Sequence, residues 1–104
     1  MNHTVVVKDE LLQADPTLGP RLFHAFKAAK TAFLDKLAAG TDLSTEEQAL
    51  ARRRSLIGDD PLPYGLDRNR KAMEAIVRFA VAQKIVWQPL PVEDLFARTT
   101  LNLE

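Results

Sequence analysis

The chain has 104 residues, fourteen basic side chains balanced by fourteen acidic ones, and no cysteine. Its length suits a single domain over 1–104 with one core, and folding at this size hides roughly two thirds of the unfolded chain's surface. Neutrality removes the field that would steer a chain to nucleic acid or an anionic membrane, and the missing cysteine excludes disulfides, thiolate zinc sites and a cysteine nucleophile.

Thr4-Val5-Val6-Val7 is a β-branched run that fits a short N-terminal strand with both faces covered. Lys8 to Ala14 reads as a short helix or turn that closes at Asp15, because the residue before a proline avoids the α region. Asp15 then suits an N-cap with Pro16 at the first helical position. Leu22, Phe26, Ala29, Phe33 and Leu37 recur at helical period, with Phe23 and Leu34 beside them. Gly19-Pro20 interrupts the first turns of that helix, and Ala39-Gly40 supplies its stop.

Ser44-Thr45-Glu46-Glu47 is a capping box that opens a third helix from about Thr45 to Leu56. Gly58 ends it. A turn then carries the chain to a fourth helix from about Asp67 to Gln83, with Met73, Ile76, Val77, Ala80 and Val81 on its buried face. Arg70, Lys71, Glu74 and Arg78 fall on the wet face. Ile85-Val86-Trp87 is a second β-like run. Pro89 and Pro91 then break the backbone, and Val92 to Ala97 makes a last helical turn that docks Leu95 and Phe96. The fold class expected is mostly α: three to four helices, a short N-terminal strand and a possible second short strand. A lone strand with a three-residue partner makes no stable sheet, so by itself it must be covered by Ile85 to Trp87, pair with a second copy, or fray.

Two groups of residues could carry chemistry. His3, beside Asn2 at the start of the strand, is a candidate proton donor or carboxylate ligand. Tyr64, Asn69 and Arg70 surround a helix N-terminus after a turn that Pro61 and Pro63 make rigid. A phenol, an amide and a guanidinium there would suit an aromatic diacid. The architectural alternative has Tyr64 packing on the turn, Asn69 capping the helix and Arg70 pairing with an acid. His24 has Lys27 and Ala28 at the helical positions where a second metal ligand would stand, so no metal is expected. Arg52-Arg53-Arg54 fans out around a helix and makes no single patch.

Three segments together, Asn2-His3-Thr4-Val5-Val6-Val7, Asp59-Asp60-Pro61-Leu62-Pro63-Tyr64-Gly65-Leu66-Asp67-Arg68-Asn69-Arg70 and Pro91-Val92-Glu93-Asp94-Leu95-Phe96, resemble the C-terminal third of the 4,5-dihydroxyphthalate decarboxylase family. The resemblance implies a C-terminal fragment of an α/β, two-lobed fold of the type 2 periplasmic solute-binding kind. It implies non-oxidative loss of CO₂ from 4,5-dihydroxyphthalate without a cofactor, with His3 as the catalytic acid and Asn2, Tyr64, Asn69 and Arg70 near the substrate. Related sequences are also described as solute-binding components of ABC transporters, so capture of a small aromatic carboxylate without turnover is the alternative. The partners expected are that ligand, the remainder of a longer protein and, as a further option, a second copy as a homodimer, with no nucleic acid.

No apolar run approaches the roughly 20 residues of a membrane span, and the first residues lack the regions of a signal peptide. A cytoplasmic location is therefore expected. The final Leu103-Glu104 reads as the remnant of an affinity-tag cloning site.

Overall fold

The computed structural model describes residues 3–58 and 60–104. Among them the chain is mostly helical, with four α-helices in order: α1 (Asp9–Ala14), α2 (Leu18–Ala39), α3 (Thr45–Ile57) and α4 (Leu66–Ala82). Two 3₁₀ turns follow, Val92–Leu95 and Arg98–Thr100. The chain divides into two compact units. One runs up to Phe23 and resumes as Tyr64–Glu104, and the other is His24–Pro63, so α2 gives its first turns to one and the rest to the other.

In the first unit α1 begins with Asp9 and Glu10, whose charges suit a helix N-terminus. Asp15 does not cap α2 from immediately before Pro16. Its carboxylate instead accepts the Thr17 backbone N–H at 2.9 Å and hydroxyl at 2.6 Å, and it pairs with Arg21 at 2.9 Å. This Asx-type turn delays the helix to Leu18, and Gly19 and Pro20 then lie inside its first turn, where a missing N–H costs nothing. Gly19 is buried, and a Cβ there would lie 3.0 Å from Thr100 Cγ2.

The core of this unit joins Leu66 and Met73 of α4 to Val92 of the first 3₁₀ turn, with Val77, Phe96 and Leu101 packed around them. Four expected core residues lie outside it: Ala80 and Val81 are half-buried, and Ile76 and Leu95 are exposed. Ile76 is exposed because it sits off the line that Leu66, Met73 and Val77 draw along α4. Leu95 is exposed because the turn ends there and the extended backbone of Phe96 takes the inward position.

No strand forms among the described residues. Thr4–Val7 carries no regular structure, and Val5 and Val6 are exposed. The expected partner, Ile85–Trp87, is taken up by the end of α4. Lys84 adopts φ 58°, its N–H donates to the Val81 carbonyl at 2.9 Å, and the Ile85 N–H donates to the Ala80 carbonyl at 2.8 Å. That is the Schellman pattern, built here on a lysine. With no ladder to join, Thr4–Val7 has nothing to make it a strand.

In the second unit Leu37 is buried, Phe33 and Leu34 are half-buried, and Phe26 and Ala29 of the same stripe are exposed. α2 stops at Gly40 with φ 69°. The capping box of α3 forms as its sequence predicts: the Glu47 N–H donates to Ser44 Oγ at 3.2 Å and the Ser44 N–H to Glu47 Oε2 at 2.7 Å. Glu47 also receives the Lys36 ammonium at 2.8 Å, which ties the last turn of α2 to the first turn of α3.

Candidate functional site

The proline turn is pinned by one lysine. Lys30 of α2 donates to the Asp60 carboxylate at 2.8 Å and to the Leu62 carbonyl at 2.7 Å. The Asp60 carboxylate also accepts the Leu62 N–H at 3.3 Å. The Lys30 and Asp60 side chains are only 14% and 19% exposed, so water competes little for this pair.

Tyr64 sets its ring edge against Phe23, centroids 6.2 Å apart at 63°. Gly65 precedes α4 with φ 91°, where a side chain is disfavoured, and a Cβ there would fall 2.5 Å from the Leu103 carbonyl oxygen. No side chain caps this helix at Gly65. Asn69 donates from Nδ2 back to the Gly65 carbonyl at 2.8 Å, bracing the first turn. Arg70 reaches Glu93 at 2.5 Å through Nη1 and Asp67 at 3.1 Å through Nη2. The Arg70 hydrogen bond holds the Glu93 carboxyl below the ordinary range, and Glu93 followed by Asp67 raises the guanidinium.

Tyr64, Asn69 and Arg70 therefore lie on one turn and the helix it opens, but each is engaged by a neighbour in its own unit. His3 is exposed on a segment without regular structure, and no hydrogen bond or ion pair joins it to them. Asn2 lies outside the described residues. His24 is exposed on α2, and among the described residues no group of three His, Cys, Asp or Glu could hold a metal ion.

One feature that sequence reading missed is an open groove of about 430 Å³ where the run from Pro89 to Glu93 lies along α4. Val77, Val81, Leu90 and Val92 give it an apolar floor, and Arg70 and Arg78 stand at its edge. The Pro89-x-Pro91-Val92 pattern is its sequence signal: two fixed φ angles carry an apolar residue back to the helix. The groove's charged lining is balanced, Arg70 and Arg78 against Glu74 and Glu93. It holds no histidine, and its Glu93 is kept ionised by Arg70, so it offers binding without an evident acid. No family model matches the chain, and no curated protein or solved structure matches it. Among the described residues no helix is long and apolar enough to cross a membrane.

Proposed function

We propose that the chain is the C-terminal segment of a 4,5-dihydroxyphthalate decarboxylase-like protein of two-lobed α/β architecture. In that protein it forms one edge of the cleft where an aromatic dicarboxylate loses CO₂ to give 3,4-dihydroxybenzoate. The family reading is supported by the three sequence segments. The observation that supports a scaffolding role is that Arg70 and Asn69 are already engaged, by Glu93 with Asp67 and by the Gly65 carbonyl. A turn with its polar groups so committed shapes the rim of a site and leaves most of the reacting groups to the rest of the protein.

The reaction breaks the bond between a ring carbon and one carboxylate, and the electron pair left on that carbon takes up a proton. His3, exposed and without a partner among the described residues, is the group of this chain assigned that proton transfer. Tyr64, Asn69 and Arg70 hold the cleft edge in shape, and the segment alone is inactive because it lacks the facing side.

The test is CO₂ release from 4,5-dihydroxyphthalate by the longer protein and by this chain, side by side. His3→Ala in the longer protein is expected to lower turnover at least roughly tenfold with helicity unchanged. Unchanged turnover removes His3, and binding without turnover by the longer protein replaces the enzyme with a solute-binding protein.

A further inference from the structure

Residues 75–92 include no acid, and Arg78 and Lys84 are the charged side chains among them. Within that stretch the loop after α4 presents the most exposed large apolar side chain of the described residues, Trp87 at 92%, with Ile85 at 71% two positions before it. Val86 between them is half-buried, so the loop turns one side chain in and its two neighbours out. This presentation is held in place. The Ile85 N–H donates to the Ala80 carbonyl at 2.8 Å, the Val86 N–H reaches the same carbonyl at 3.4 Å, and Pro89 fixes φ on the far side. Arg78 lines the groove with Pro89 and Leu90, and among the described residues no acid pairs with Arg78 or with Lys84. Of the acids nearest in sequence, Glu93 is engaged by Arg70, and Glu74 stands one turn behind Arg78, about 12 Å along the axis from Ala82 at the end of α4.

We propose that the loop of residues 84–90 docks on the surface of an anionic lipid bilayer, with Trp87 and Ile85 entering the headgroup layer and Lys84 and Arg78 meeting lipid phosphates. Tryptophan suits that depth because its apolar ring leaves water while its indole N–H keeps a polar partner. The contact is a tip lodged in the interface and needs no spanning segment.

Area and local charge favour lipid over a protein partner. Trp87 and Ile85 together expose roughly 350 Å², under half of the roughly 800 Å² per partner that a standard protein interface buries. A bilayer asks for no matching surface, so a small apolar tip suffices, and an acid-free basic flank is what its negative surface potential attracts. The neutrality of the whole chain removes long-range steering but not this contact, whose cations act within a Debye length of the lipid. The proposal is independent of the decarboxylase reading, which uses none of residues 84–90.

Trp87 is the one tryptophan of the chain, so its emission reports this loop alone. With vesicles of equal phosphatidylcholine and phosphatidylglycerol, the full chain is expected to co-sediment and Trp87 emission to shift to the blue, both effects weakening as salt is raised. Vesicles of phosphatidylcholine alone should retain the chain at least roughly tenfold less. Trp87→Ser, at a position already surrounded by solvent, should lower partitioning at least roughly tenfold with helicity unchanged. Lys84→Asn keeps a residue type that tolerates positive φ and should lower it about fivefold, the worth of one cation at such a surface. Val6→Ser, 88% exposed on the segment before α1, should bind as the native chain does. No co-sedimentation with the anionic vesicles would overturn the proposal. So would equal retention by neutral vesicles, or a loss on Val6→Ser as large as on Trp87→Ser. Trp87 emission already blue without lipid would assign the loop to a protein contact and overturn it as well.

Discussion

The unit built around α4 and the unit built around α2 and α3 are held together by different means. The first rests on apolar burial and on close approach to two glycines: Leu66, Met73 and Val92 pack together, the Leu103 carbonyl lies against Gly65, and the Thr99 and Thr100 side chains lie against Gly19. The second, by itself, has Leu37 as its one buried large side chain among the described residues. Its contacts across the chain include Lys30 with Asp60 and Leu62, and Lys36 with Glu47, whose carboxylate also closes the capping box. Apolar burial does not titrate and is not screened by salt, whereas ion pairs are, so acid should reach the second unit before the apolar cluster of the first.

The sharpest way to break the first unit is Gly65→Ala. A methyl group 2.5 Å from the Leu103 carbonyl oxygen, on a backbone at φ 91°, cannot be relieved by a rotamer change. The expected cost is roughly 3 kcal/mol, seen as a large fall in Tm by circular dichroism, with the native Tm as the refuting result. For the second unit the corresponding variant is Lys30→Ala, which takes the ammonium away from the Asp60 carboxylate and the Leu62 carbonyl in a place only partly wetted. It is expected to cost about 2 kcal/mol and to speed proteolysis in the proline turn; cleavage at the native rate would show that the clamp does little.

Acid sharpens the contrast with the smallest effect. Glu47 is held below the ordinary carboxylate range by Lys36 first and then by the Ser44 N–H. A carboxyl lowered by folding contributes stability that is complete above its unfolded pKa and is lost as pH falls through the folded one. The α2–α3 contact should therefore loosen once pH drops below about 4. Glu93 and Asp15 shift in the same direction, but the Leu66–Met73–Val92 cluster has no group that titrates. Amide exchange across a pH series should show protection falling first in the early turns of α3. Loss of protection in α4 before α3 would reverse the comparison.

The helices were legible in the sequence because their signals are local. The capping box at Ser44, the stop at Gly40 and the start of α4 after Gly65 each depend on a few neighbouring residues. The expected strands were not, since β-branched composition states a preference that only a partner strand can fulfil. Lys84 hid the route of the chain after α4, because the left-handed residue that ends a helix is usually glycine. At the candidate site residue type was the weaker guide. Tyr64, Asn69 and Arg70 lie where the turn and helix pattern put them, yet Arg70 is committed to Glu93, which stands 23 positions further along the chain. No local signal announces such a pairing.

The contact of Gly65 with Leu103 also orders events in time. It closes a long stretch of chain, and long loops cost more entropy to close than the local bonds of a helix. The first turn of α4 can wind as soon as its own residues are in place, but the seat on Gly65 is filled only when the last residues of the chain arrive. The seat on Gly65 is therefore expected to be among the last contacts of its unit to form, later than the helical turn it rests on.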